Sequence, residues 1–231
     1  MTITKIAEVP DIDAPRMKAR VVAHHQLSDT GYELILERNH LSFDAGRLLT
    51  LHGRTVTEDR SYTIASGEQD EHLHILYRLV PTGVLTPQLV TLRAGDTVEC
   101  SGPYGQFVLR DAQRPICFIA TGTGVAPCRA YVRTHPNLNL TLIHGVREPK
   151  DLFFREEFER FNYKPCCSVA EGAHFNGRVT HYLDAHPPTP DADYYLCGAY
   201  EMIYDVQARL VTAGVDPARI FTEGYYYRME T

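Results

Sequence analysis

The chain has 231 residues, 44% hydrophobic and 23% charged, with 16 glycines and 14 prolines. This is the composition of a folded globular protein of one large or two small domains, and it excludes a disordered or fibrous chain. The formal charge is −6, with no basic tail, which argues against a nucleic-acid partner.

From Met17 to Val108 the pattern predicts short strands. Ala19 to Ala23, Tyr32 to Leu36 and His72 to Tyr77 are β-rich and partly alternating, with turn signals at Asp29-Thr30-Gly31, Asp44-Ala45-Gly46, Ala94-Gly95-Asp96 and Gly102-Pro103-Tyr104-Gly105. About six such strands predict a small antiparallel barrel. Within it, Gly83 to Leu92 predicts a short helix with Thr86 as N-cap and Pro87 as its first residue.

After Arg114 strands and helices alternate. Pro115 to Ala120 is an apolar run that enters a Gly-rich turn and then a helix from about Pro127. Asn139 to His144 is a strand, and Asp151 to Phe161 is expected to be helical with Leu152, Phe153, Phe158 and Phe161 as its apolar positions. Pro165 to Val169 and Gly177 to Leu183 repeat the pair. Tyr194 to Cys197 is a strand, Glu201 to Thr212 a helix, and Arg219 to Thr222 a last strand. Alternation of this kind predicts a parallel sheet covered on both faces. The expected fold is therefore a β-barrel domain at 1–112 followed by a Rossmann-like α/β domain at 113–231.

Four segments carry chemistry. Gly122-Thr123-Gly124-Val125-Ala126-Pro127 lies between a strand and a helix, where backbone N–H groups and the helix dipole favour a phosphate. Pro127 stands where the usual dinucleotide fingerprint has a third Gly. On the predicted strand Arg60 to Ser66, Arg60 is suited to a phosphate, Tyr62 to a planar ring and Thr63 to a ring nitrogen; alternation puts Arg60, Tyr62 and Ile64 on one face. Cys197-Gly198-Ala199-Tyr200-Glu201-Met202 begins at a strand end, where a parallel sheet presents its ligand crevice. The tail Glu223-Gly224-Tyr225-Tyr226-Tyr227 gathers three tyrosines near the chain end. Six cysteines without C-x-x-C spacing argue against a zinc ribbon, an iron–sulfur loop and a disulfide scaffold, and point to reduced thiols in a cytoplasm. Met1 to Pro15 lacks the apolar run of a signal peptide, and no apolar run approaches the ~20 residues of a membrane span. His72 and His74 share a strand face, but no further ligand accompanies them, so no metal site is expected.

The set resembles the ferredoxin–NADP reductase superfamily over nearly the whole chain. The family's R-x-Y-[ST] flavin motif looks like Arg60, Tyr62 and Thr63, with Ser61, Ser66 and Tyr77 counted as further cofactor-binding candidates. Its G-x-x-[ST] pyrophosphate segment looks like Gly83, Val84, Leu85 and Thr86. Its G-T-G-x-x-P nucleotide turn looks like Gly122, Thr123, Gly124 and Pro127, and its C-G-x-x-x-M segment like Cys197, Gly198 and Met202. Gly102 to Phe107 is similar to the barrel-closing G-P-Y-G-x-F, and Glu223 with Tyr225 to the plant-type ending E-x-Y. Six residues follow Tyr225 here, so Tyr226 and Tyr227 stand beside it as candidates to cover the flavin. Val169 occupies the place of an Arg in NADP-selective members, which leaves Arg147 and Arg178 as candidates for a 2′-phosphate.

The resemblance implies FAD and NADP(H) or NAD(H) as cofactors, and hydride transfer between nicotinamide C4 and flavin N5. Thr63, Cys197 and Glu223 are the implied catalytic residues. The implied partner is a separate one-electron carrier such as a ferredoxin or flavodoxin. Attraction to an acidic carrier requires a local basic patch, for which Arg16, Lys18 and Arg20 are candidates. The alternatives are an NAD(P)H:flavin reductase, an oxygenase reductase component, or an electron-transfer subunit of a larger complex.

Overall fold

The structure is a computed structural model and describes residues 15–53, 59–169 and 173–225. The chain divides into two compact units, one formed by residues 1–109 with 126–136, the other by 110–125 with 137–231.

In the first unit six antiparallel strands form one sheet: β1 (Met17–Gln26), β2 (Gly31–Glu37), β3 (Leu48–Leu51), β4 (Arg60–Thr63), β5 (His72–Arg78) and β6 (Thr97–Tyr104). Their order is β4-β3-β6-β1-β2-β5. The two end strands meet through an antiparallel bridge between Ile64 and Ile75, and the Ala65 N–H donates to the His74 carbonyl at 2.7 Å. The sheet is thus a nearly closed barrel, which removes most of its exposed edge. Leu34, Leu36, Leu49, Leu51, Ile64, Leu73 and Ile75 fill the interior, as period-2 alternation requires.

The short helix α1 (Thr86–Leu89) starts one residue earlier than the sequence suggests, with Leu85 rather than Thr86 at the N-cap. The Thr86 hydroxyl is used otherwise. It accepts from the Val80 N–H at 2.9 Å and donates to the Val80 carbonyl at 3.2 Å, closing the loop that precedes the helix.

The second unit is a parallel sheet of β7 (Ile116–Thr121), β8 (Leu140–Val146), β9 (Asn162–Cys167), β10 (Phe175–Asn176), β11 (Asp193–Ala199) and β12 (Ile220–Tyr225), ordered β10-β9-β8-β7-β11-β12. The chain builds outward from β7 to β10, then returns to place β11 on the other side of β7. This reversal is the topological switch point, and in open α/β sheets the carboxyl ends of the strands at such a point, here β7 and β11, are where ligands bind. Helices α4 (Val179–Ala185) and α5 (Tyr200–Thr212) pack on the sheet through Val179, Leu183, Met202, Val206 and Leu210.

Two helices differ from expectation. Helix α2 (Ala126–Thr134) groups with the barrel unit, not with the strand it follows in sequence. The helix expected over 151–161 is reduced to α3 (Arg155–Phe158), preceded by a 3-10 turn at Pro149–Asp151 and by Phe154 in the left-handed region at φ 58°. Leu152 packs with Val146 and Cys167, while Phe158 packs against Tyr163. Those positions are six residues apart, about 600° of helical rotation, so one straight helix cannot bury both on one face.

Candidate functional site

In the second unit the carboxyl ends of β7 and β11 are adjacent, with Ala120 opposite Cys197. Gly122–Val125 forms a 3-10 turn directly after β7. Two glycines make the close approach possible. A Cβ on Gly124 would lie 2.3 Å from the Cys197 carbonyl oxygen, and one on Gly198 would lie 2.2 Å from Thr121 Oγ1. Gly198 also has φ +136°, a conformation that favours glycine. The Thr121 hydroxyl accepts from the Ala199 N–H at 3.0 Å and ties the two strand ends together. Gly122 has φ +55° and no heavy atom within 4 Å of where a Cβ would sit. The turn therefore presents open backbone at a switch point, which suits a dinucleotide pyrophosphate.

Cys197 and Glu223 occupy paired positions on β11 and β12, both buried. The Cys197 thiol donates to Glu223 Oε1 at 3.8 Å. The structure thus brings these two predicted residues together beside the turn. Met202, on the buried face of α5, packs into the core of this unit. Pro127 lies on α2 and is buried. Tyr225 ends β12 half-buried, while Tyr226 and Tyr227 lie outside the described residues.

Arg147 is exposed at the end of β8, and its carbonyl accepts from the Val169 N–H at 3.1 Å. The Ser168 hydroxyl donates to the Val146 carbonyl at 3.4 Å. Arg178 is exposed at the N-cap of α4. Both guanidinium groups stay on the surface of the nucleotide unit, where a 2′-phosphate could be held.

On β4 of the barrel, Arg60 and Ser61 are exposed, Tyr62 is half-buried and Thr63 is buried. The Ser61 hydroxyl bonds to Thr50 Oγ1 at 2.9 Å. Tyr62 stands edge-on to Tyr77 at 6.2 Å. An exposed cation and a half-buried ring on one strand are groups chemically suited to a phosphate and a planar ring. Val84 is exposed, and Gly83 donates to the Val80 carbonyl at 2.9 Å in the loop that Thr86 closes. Two further candidates turn inward. The Ser66 hydroxyl accepts from the His74 N–H at 3.2 Å. Tyr77 sits in the barrel core, 2.9 Å from His24 Nε2 and stacked on Tyr32. Burial pushes its phenol well above the usual range.

Three residues missed in the sequence reading stand out. Glu33 and Arg129 form a buried ion pair at 2.6 Å, and His74 Nδ1 lies 2.7 Å from the same carboxylate oxygen. Burial alone would raise the Glu33 pKa, but the His74 hydrogen bond and the Arg129 charge outweigh it and hold it at about 2. This arrangement gives His74 a carboxylate partner in place of the metal role considered for it. His144 is fully buried on β8. A polar side chain in an otherwise apolar parallel strand, and an Arg within an apolar helix face, were the available signals. The basic patch expected around Arg16 is partly compensated: Arg16 lies 3.8 Å from Asp59 and 3.5 Å from Glu99.

Comparison with known proteins agrees with this geometry. Residues 18–109 match the oxidoreductase FAD-binding domain family, and residues 118–208 match the oxidoreductase NAD-binding domain family. With both domains in this order on one chain, the protein belongs to the ferredoxin–NADP reductase superfamily. Among curated relatives, the chain is 30% identical over 220 residues to the toluate 1,2-dioxygenase electron transfer component of Pseudomonas putida, covering 87% of this chain and 65% of that protein. It thus spans less than two thirds of that relative's length. Among solved structures it is similar to the Amycolatopsis cytochrome P450 reductase GcoB, with TM-score 0.80 and 26% identity over 94% of this chain and 73% of that one. It also shares its fold with a ferredoxin NADP+ reductase from Neisseria gonorrhoeae solved with FAD and NADP, with TM-score 0.83 and 18% identity over 93% of this chain and all of that one. The chain is therefore an oxidoreductase with FAD- and NAD-binding domains. Among the described residues no helix is long and apolar enough to cross a membrane.

Proposed function

We propose that the protein moves electrons between NAD(P)H and a separate one-electron protein carrier such as a ferredoxin or flavodoxin. The observation that carries this reading is the Gly122–Val125 turn at the switch point of a unit that follows an FAD-binding barrel. The division between the flavin- and nucleotide-binding parts is placed near residue 112. When bound, the nicotinamide and flavin supply hydride exchange between C4 and N5, and the flavin supplies single electrons to the carrier.

The chain's own residues bind and orient. Arg60 would hold a flavin phosphate, Tyr62 would meet the ring and Thr63 would offer it a hydrogen bond, with Ser61, Ser66 and Tyr77 supporting the barrel wall behind them. The loop Gly83, Val84, Leu85 and Thr86 receives the FAD pyrophosphate, a group that FMN lacks. Gly122, Thr123, Gly124 and Pro127 receive the nicotinamide dinucleotide, with Gly198 and Met202 supporting the strand end. Cys197 and Glu223 would bound the nicotinamide site, and Arg147 and Arg178 would serve a 2′-phosphate where one is present. Six free thiols support a reducing compartment such as the cytoplasm.

The name of the Pseudomonas putida relative favours one second reading, an oxygenase reductase component. Both readings predict that the purified protein retains FAD, identified chromatographically after release, and reduces ferricyanide with NADH or NADPH. Release of FMN, or no reduction of an artificial acceptor, contradicts both. Single-turnover reduction of ferredoxins, flavodoxins and Rieske-type proteins under anaerobic conditions separates them by the carrier that oxidises the reduced protein fastest.

A further inference from the structure

His144 sits in the middle of the parallel sheet, opposite Ala120 of β7 and Pro165 of β9. It is 0% exposed in a strand whose other interior residues are apolar. Its Nε2 lies 3.0 Å from the Gly122 carbonyl oxygen and its Nδ1 lies 3.2 Å from the Tyr163 hydroxyl. A carbonyl only accepts, so Nε2 carries the proton. Nδ1 is then bare and accepts from the Tyr163 hydroxyl. Every polar atom of the neutral ring is satisfied, and burial agrees with neutrality by lowering its pKa to about 4. Tyr163 is itself packed against Phe158 at 5.8 Å, which fixes the donor.

The target of this relay matters. Gly122 has no side chain, takes φ +55° and has no neighbouring group where a Cβ would sit, so no side-chain packing of its own helps the turn to hold the peptide that follows. That peptide is planar and trans, so its carbonyl and the Thr123 N–H point in opposite directions. A carbonyl drawn inward to His144 sends the Thr123 N–H outward from the strand end. We infer that His144, oriented by Tyr163, is a positioning residue for dinucleotide binding, which fixes the Gly122–Thr123 peptide so that the Thr123 N–H faces the nucleotide's pyrophosphate. This deepens the proposed function and rests on its assignment of the turn.

The test uses the flavin-loaded protein and three variants: His144→Phe, which fills the site and removes both bonds, His144→Gln, which returns an amide donor near the Nε2 position, and Tyr163→Phe. Two readouts are taken. Calorimetry gives the affinities for NAD+ and NADP+, and amide hydrogen exchange without nucleotide follows the segment Ile119 to Val125. His144→Phe is expected to weaken the preferred nucleotide roughly tenfold, the scale of one lost hydrogen bond, and to speed exchange in the turn. His144→Gln restores much of both, Tyr163→Phe shows a smaller loss, and flavin content is unchanged throughout. Wild-type affinity and exchange in His144→Phe overturn the inference and leave the proposed function standing. If His144→Phe does not fold, unchanged affinity and exchange in Tyr163→Phe overturn it instead. A wild-type protein that binds neither nucleotide overturns the proposed function and this inference together.

Discussion

His144 and Glu33 are both buried ionisable groups, and the protein treats them in opposite ways. His144 is kept neutral, with its pKa lowered from 6.5 to about 4 by burial. The unfolded chain takes up that proton as pH falls below about 6.5, whereas the folded chain resists until about 4, so stability is lost across that window as pH falls. Glu33 is kept charged, lowered from 4.5 to about 2 because His74 and Arg129 outweigh the cost of its burial. Its contribution is complete above about 4.5 and is lost as pH falls toward 2. Urea unfolding across pH should show both windows. His144→Phe is expected to remove the loss between 6.5 and 4, and Glu33→Gln the loss below 4.5; parallel pH profiles in wild type and both variants would contradict these assignments. At the same scale, Cys197→Ser is expected to slow flavin reduction in stopped flow while FAD stays bound. An unchanged rate would remove Cys197 from the nicotinamide site. Cys197 was legible because it opens a motif at a strand end. His144 was not, because its role depends on Tyr163 and Gly122, which meet it only in the folded sheet.

At the scale of elements, α2 is the informative case. It follows the Gly-rich turn in sequence but is fastened to the barrel unit. Arg129 pairs with Glu33, which is 96 positions away, Arg133 pairs with Asp70 at 2.6 Å, and the Tyr131 hydroxyl donates to the Phe107 carbonyl. Alternation explains the first of these. Leu34 and Leu36 point into the barrel, so Glu33 points out, and it is buried there beside His74 and Arg129 of α2. Removing Arg129 leaves the buried Glu33 carboxylate with His74 as its remaining partner, so Arg129→Met is expected to destabilise the protein by at most about 3–5 kcal/mol. Adding Glu33→Leu should recover much of that loss in urea unfolding. A loss well below 1 kcal/mol in the single variant would contradict a buried ionic fastening. Sequence periodicity finds α2 as a helix but not its attachment, which depends on a carboxylate from a distant strand. The apolar residues of 151–161 suggest one longer helix than α3, although tertiary packing buries Leu152 and Phe158 against different neighbours.

Across the whole molecule, the change from strand-rich to alternating pattern near Arg114 made both architectures legible: an antiparallel barrel, then a parallel sheet. The strand order was not legible, yet it supplies the switch point that brings Gly122 and Cys197 to neighbouring strand ends. Motif order along the chain agrees with that topology, and the two domain families match in the same order. The central claim is that this chain accepts hydride from a nicotinamide dinucleotide onto bound flavin. The most direct measurement is an anaerobic titration of the flavin-loaded protein with NADH and, separately, NADPH, following visible flavin absorbance. The account predicts bleaching at about one equivalent of the preferred nucleotide per flavin, with Arg147→Ala and Arg178→Ala weakening NADPH selectively if that nucleotide is preferred. A flavin that stays oxidised with an excess of both nucleotides would contradict it.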